Sequence, residues 1–186
     1  MNIDKTFLEA RQVLAAFEEA SGKIFAMGNM LLKVLKNGNK VLTCGNGGSA
    51  ADALHMSEEL VGRYLSNRRS LPSICLNSDA TLLTCIANDF GYDEVFARQI
   101  QSLALEGDII VVFSTSGNSR NILRALEEAK TKGITSFLLT GKSGGKAVEF
   151  AGEVLHIPST NGARVQEMHT FVMHMWMDQI EAEFID

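Results

Sequence analysis

Residues 108–119 read DIIVVFSTSGNS. An unbroken apolar run, rich in β-branched side chains, passes directly into four hydroxyls and a glycine. A strand this uniformly apolar fits a sheet covered on both faces, where alternate side chains enter two buried layers. The small polar residues that follow mark its carboxyl end. The same grammar recurs at Lys40–Cys44, Ser73–Leu76, Thr135–Leu139 and Val154–Ile157. Between these runs, apolar residues recur at three- and four-residue steps near Ala50–Tyr64, Ala80–Asn88, Asp93–Leu105, Asn121–Thr131 and Arg164–Phe184. Strand and helix in alternation predict an α/β fold, a three-layer sandwich around a five-stranded parallel sheet. Two helices precede it, roughly Asp4 to Ala20 and Lys23 to Leu35, with Phe7, Leu14, Phe17, Ile24, Met27 and Leu31 on their apolar faces. Neither repeat nor linker interrupts residues 1–186, so a single domain is expected, with residues 1–37 packing on it or on a neighbouring subunit.

Composition narrows the function. Hydrophobic residues make up 46% and charged residues 21%, the balance of a soluble globular chain. Seventeen basic against twenty-two acidic side chains leave a net charge of −5, and no basic cluster exceeds a pair such as Arg68-Arg69. A nucleic-acid partner is disfavoured on that ground. The N-terminal MNIDKTFLEA lacks the apolar centre of a signal peptide, and no run approaches the ~18 apolar residues of a membrane span. Cys44, Cys75 and Cys85 form no C-x-x-C pair and are expected as buried, reduced thiols. The expectation is a cytoplasmic protein with neither nucleic acid nor membrane as partner.

The loops after the strands carry the first chemical signal. The first reads Cys44-Gly45-Asn46-Gly47-Gly48-Ser49, with Asp52 three residues on. Its glycines let backbone N–H groups turn toward an anion at the start of the next helix, which Ser49 is expected to cap in a box with Asp52. In the second, Ser114, Thr115, Ser116 and Ser119 surround Gly117 and make a cradle suited to a phosphate monoester. A third, Thr140–Gly145, follows the fourth strand. One serine-rich turn is commonly only a helix cap. Several such loops at the carboxyl ends of one parallel sheet stand where ligands gather. Nucleotide readings fit poorly. Gly45-x-Gly47-x-x-Ala50 matches a loose dinucleotide fingerprint, but the first acid after the second strand is Asp79, well beyond the ~20-residue offset of a ribose contact. Gly141-Lys142-Ser143 mimics the end of a P-loop, with Ser136 in the place of its first glycine.

Acid–base residues supply the second signal. His55 and Glu59 stand four apart on the helix that follows the first loop. Gln166, Thr170 and His174 line one seam of the last helix, while His169 falls on another part of its surface. Met168, Met173, Met175, Met177 and Trp176 read as core or subunit packing. A glutamate and a histidine suit proton transfer alpha to a carbonyl. His55, Glu59, Gln166 and His174 alternatively form a zinc site, although the two groups stand more than a hundred positions apart.

Taken in order, CGNGGSAADALHMSEELVGRY, the Asn88–Tyr92 stretch, STSGNS, LTGKSGG and ARVQEMH resemble the phosphoheptose isomerase family of the sugar isomerase (SIS) fold, from about Leu35 to Ile180. The resemblance implies a parallel sheet of flavodoxin-like order and a homotetramer with active sites between subunits. It implies conversion of sedoheptulose 7-phosphate to D-glycero-D-manno-heptose 7-phosphate, the first step toward the heptose of lipopolysaccharide or other surface glycans. Glu59 matches the family's general base and His174 its acid. His55, Glu59, Gln166 and His174 match the ligands of one zinc ion per subunit. Ser49, Ser114, Thr115, Ser116 and Ser119 match the phosphate cradle, with Gly47 and Gly48 in its loop, and Asn46, Asp89 and Gln166 match sugar-side contacts. Many relatives read Asp-Thr-Ala where this chain has Asn161-Gly162-Ala163, a departure that bears on the far end of the sugar. The same fold also implies two rivals: a non-catalytic protein that binds the replication initiator, and a regulator that senses a sugar phosphate. The first lacks counterparts of Glu59 and His174, and the second has no need of them.

Overall fold

The computed structural model describes residues 3–185. Two helices, α1 (Ile3–Phe17) and α2 (Ser21–Lys36), lead into β1 (Val41–Gly45) and α3 (Gly48–Val61). There follow β2 (Ser73–Cys75), α4 (Ala80–Phe90), α5 (Ala97–Leu103), β3 (Ile109–Ser114) and α6 (Arg120–Thr131). The chain then adds β4 (Thr135–Thr140), β5 (Glu153–His156) and α7 (Gly162–Glu181). All five strands are parallel, in the order β2-β1-β3-β4-β5. The expected sandwich and strand order are both present.

Alternation along β3 builds the two cores. Val111 and Phe113 join one cluster with Leu31, Met56, Val172 and Trp176, beneath α2, α3 and α7. Ile110 and Val112 join the other with Phe96, Ile100, Ile122 and Leu126, beneath α5 and α6. Each fully buried Leu or Phe contributes about 1.5–3 kcal/mol by leaving water, which is why the apolar runs dominate the fold. Because the chain visits β2 on one side of β1 and β3 on the other, the switch in strand order falls between β1 and β3. Crevices for ligands open at such switches, and here the flanking loops are the glycine loop and the hydroxyl loop.

The first two helices pack on α7. Trp176, fully buried, donates its Nε1–H to the Ile24 carbonyl at 2.9 Å, and Lys36 pairs with Glu183 at 2.5 Å. Two expectations need correction. The stretch Asp93–Leu105 is not one helix: a 3-10 turn over Tyr92–Glu94 precedes the short α5. Gly91, at φ 88°, turns the chain there, and Glu94 is held by Arg124 at 2.8 Å. Cys85 is exposed rather than buried, because Ile86 is the one residue that α4 buries.

Candidate active site

The glycine loop is shaped by backbone rather than by a side-chain cap. Gly47 takes φ 57° and ψ −122°, a conformation open to glycine, and α3 begins at the very next residue. Ser49 therefore lies inside the helix and does not cap it, and Asp52 makes no box with it. Instead the Thr170 hydroxyl donates to Asp52 Oδ1 at 3.2 Å. Asn77, in the turn just after β2, braces the loop by accepting from Gly45 N–H at 3.1 Å and donating to the Gly45 carbonyl at 2.9 Å. Asp79, the acid offered by the dinucleotide reading, caps α4 by accepting from Leu82 N–H at 2.9 Å.

Across the switch point, Ser114 is buried and accepts from Gly117 N–H at 3.2 Å, while Ser116 accepts from Asn118 N–H at 3.3 Å. Gly117, at φ 61°, abuts the third loop so closely that a Cβ would stand 1.8 Å from the Gly144 carbonyl. Ser119 occupies the N-cap of α6 without using its side chain as a cap. Its hydroxyl is thus not engaged in capping. Thr115, Ser116, Asn118, Lys142, Ser143 and Thr160 line a cavity of about 320 Å³ at this edge of the sheet.

The acid–base residues meet along a seam between α3 and α7, which run in the same direction. The Gln166 carboxamide lies against Gly48, Thr170 bonds Asp52, and the His174 ring packs edge-on to His55 with centroids 5.2 Å apart. His55 Nε2 lies 3.1 Å from Glu59 Oε1. One ligand atom each from His55, Glu59 and His174 lies within 4.8 Å of the others. Two imidazoles and a carboxylate are a donor set suited to a divalent transition metal, and the trio fits such an ion. Gln166 stands about two helical turns from His174 on the same seam, with its amide at the start of α3.

The other two sugar-side candidates differ. Asn46 is held in a reciprocal amide pair with Asn121, at 2.8 and 2.9 Å, and accepts from the Tyr92 hydroxyl at 3.1 Å. Asp89 sits on the exposed last turn of α4 with local partners, the Asn88 amide at 2.7 Å and the Cys85 thiol at 3.8 Å. Sequence reasoning missed Asn77, Asn121 and Tyr92. Their contacts span from 32 to 75 positions, and no local pattern announces them.

The profile of the SIS domain family matches residues 7–141. That stretch carries both cradle loops, His55 and Glu59, so fold and site together define a SIS-domain protein. Similarity to phosphoheptose isomerases continues through α7. The chain is 43% identical over 184 residues to the phosphoheptose isomerase of a Nitratiruptor species, covering 98% of each. The structure of a phosphoheptose isomerase from Francisella tularensis superposes with a TM-score of 0.93 at 35% identity, over 97% of this chain and 96% of that one. The one from Neisseria gonorrhoeae gives 0.91 at 34%, over 97% of both chains. The chain belongs to the phosphoheptose isomerase family, a family of enzymes.

Proposed function

We propose that this chain interconverts sedoheptulose 7-phosphate and D-glycero-D-manno-heptose 7-phosphate, feeding heptose into lipopolysaccharide or other surface glycans. The observation that carries this is the α3–α7 seam, which sets Glu59, His55 and His174 beside one another along the helix that begins at the glycine loop. Ser49, Ser114, Thr115, Ser116 and Ser119, with the N–H groups of Gly47 and Gly48, hold the phosphate. Glu59 takes the proton from C1 of the ketose and returns it to C2. His174 gives a proton to the carbonyl oxygen at C2 and takes back the C1 hydroxyl proton as the aldehyde forms, so that both residues end as they began. The enediol between them is neutral overall, and no oxidant or reductant is consumed. Asn46, oriented by Asn121 and Tyr92, and Gln166 contact the sugar hydroxyls.

Zinc would be held by His55, Glu59 and His174, with Gln166, whose amide lies against Gly48, as the fourth ligand that the family resemblance implies. When bound, it polarises the sugar's oxygens as a Lewis acid. A homotetramer is the assembly this reading expects, and the surface supports contact between subunits. An apolar groove of about 970 Å³ runs between α1, α2 and α7, lined by Leu14, Phe17, Ile24, Phe25, Phe171 and Met175. Phe25 is 62% and Phe171 42% exposed there. Apolar patches of this kind mark subunit contacts. The cytoplasm suits its three free thiols, and among the described residues no helix is long and apolar enough to cross a membrane.

The test is turnover of sedoheptulose 7-phosphate followed by NMR, before and after chelation and with zinc restored. Appearance of the aldose, lost on chelation and regained with zinc, supports both the reaction and the metal. Binding without turnover in all conditions overturns the reaction and favours a sensing role. Light scattering in the same buffer reads the subunit number.

A further inference from the structure

The segment after α3 is fastened at three points. Arg68 donates to the carbonyls of Leu60 and Glu59, at 3.0 and 2.6 Å, and so ties the segment to the helix end that carries Glu59. The buried Glu181 carboxylate accepts from Leu65 N–H, at 3.1 and 3.2 Å, and from Ser66 N–H at 3.0 Å. Between these anchors, Tyr64 stacks on the His174 ring, with centroids 5.6 Å apart and planes 28° from parallel. Burial, followed by the charges of Asp178 and Glu59, pushes its phenol up in pKa. His174, Asp178 and Glu181 lie at i, i+4 and i+7 on α7, so one face of that helix grips one short strap.

We propose that Tyr64 is a positioning residue, which holds the His174 ring at a fixed angle to Glu59 through its stack, itself held by the anchored segment. The inference rests on the acid role given to His174 above. An imidazole on a half-exposed helix face has two free torsions. Transfer of a proton between two fixed carbons needs one of their combinations. The stack removes the others, and the strap carries that restraint back to the Glu59 end of α3.

Three variants test it. Tyr64→Leu removes the stack and is expected to lower kcat roughly 10- to 100-fold with KM for the sugar phosphate changed less than about threefold. Tyr64→Phe keeps the ring and its stack on His174 and is expected to recover most of kcat. His174→Asn is measured beside them. Loss of turnover in His174→Asn with full kcat in Tyr64→Leu overturns the positioning role alone. Full turnover in His174→Asn overturns the acid reading itself. Equal losses in the Phe and Leu variants, with KM rising and Tm falling in step, assign Tyr64 to packing and also overturn the proposal. Should the Leu variant not fold, Tyr64→Met, close in volume and without a ring, decides by the same criterion.

Discussion

The carboxamide of Gln166 occupies the space that a side chain on Gly48 would need: a Cβ there would stand 2.3 Å from Nε2 and 2.7 Å from Cδ. Gly48 has no positive φ, so the backbone itself accepts alanine. The clash falls on the tip of a flexible side chain, which swings away while the fold persists. Gly48→Ala is therefore expected to leave Tm unchanged or slightly raised, since alanine favours a helix by up to about 1 kcal/mol over glycine. At the same time kcat/KM should drop about tenfold or more. Thermal melts paired with steady-state kinetics check this. Unchanged kcat/KM would mean that the placement of Gln166 is irrelevant to turnover.

Proton removal and phosphate binding are separable in this site. Glu59→Gln keeps the shape and the neighbour His55, but its amide cannot accept the C1 proton. Turnover should fall by roughly 10²–10⁴-fold, with sugar-phosphate binding by calorimetry nearly intact. Ser116→Ala deletes a cradle hydroxyl and should raise KM more than it lowers kcat. Full activity in the first variant removes Glu59 from the base role. An unchanged KM in the second removes Ser116 from the cradle.

The start of the sheet depends on one buried charge. Asp108 accepts from Lys40 N–H at 3.0 Å, from the Lys40 ammonium at 2.5 Å and from Leu105 N–H at 2.8 Å. Burial pushes its carboxyl up, but these bonds and the Lys40 charge outweigh burial and hold it below the usual carboxylate range. A depressed pKa gives stability that is present above the unfolded value, near 4, and is lost as pH falls through the folded value. Asp108→Asn should cost about 2–4 kcal/mol at pH 7, because Lys40 is left without its partner. Urea unfolding at pH 7, 5 and 3.5 checks it. The gap between the two proteins should hold to pH 5 and narrow below 4, whereas a constant gap would deny the linkage.

Element positions were legible because burial on both faces leaves an unmistakable mark. IIVVF needed no partner to be read as a central strand, and all five strands fall within a residue or so of their expected bounds. The seam of Gln166, Thr170 and His174 was legible from helical spacing alone. What spacing could not supply was the partner of that seam. That α7 lies along α3, placing His174 on His55, depends on the packing of both helices over Val111 and Phe113. Helix starts were misread where glycine replaced the usual polar cap. Ser49 looked like a cap because its type fits one, yet Gly47 had already turned the chain. Tyr64 stood inside the motif that carries the resemblance, but its stack on His174 spans 110 positions and leaves no local trace.

His169 is a second buried titratable group. It is fully buried against Phe113, its Nδ1 is 3.6 Å from Asp52 Oδ2, and neither ring nitrogen has a hydrogen-bond partner. Burial pushes its pKa down, and Asp52 only partly offsets this. Below pH 6.5 the unfolded chain takes up a proton that the folded one refuses, so stability falls on acidification. In His169→Gln the dependence of unfolding free energy on pH between 6.5 and 5 should be shallower, by up to about 1.4 kcal/mol per pH unit. Parallel pH profiles for the two proteins would show that His169 does not titrate on unfolding.

The Asn161-Gly162-Ala163 departure has a local cause in α1. Asn161 Oδ1 caps α7 by accepting from Ala163 N–H at 3.1 Å, while its Nδ2 donates to both Glu9 oxygens at 3.1 Å. An aspartate here would cap equally well and would gain from the helix dipole. It would also set a second carboxylate against Glu9 with no proton between them. Asn161→Asp should therefore be more favourable in a Glu9→Gln background than in the natural one, by roughly 0.5–1 kcal/mol at low salt. The coupling should shrink as salt rises, because both groups are exposed to screening. A double-mutant cycle in urea at two ionic strengths measures it. Coupling near zero at both would mean that Glu9 does not select the amide, and that the departure from Asp-Thr-Ala answers to the sugar instead.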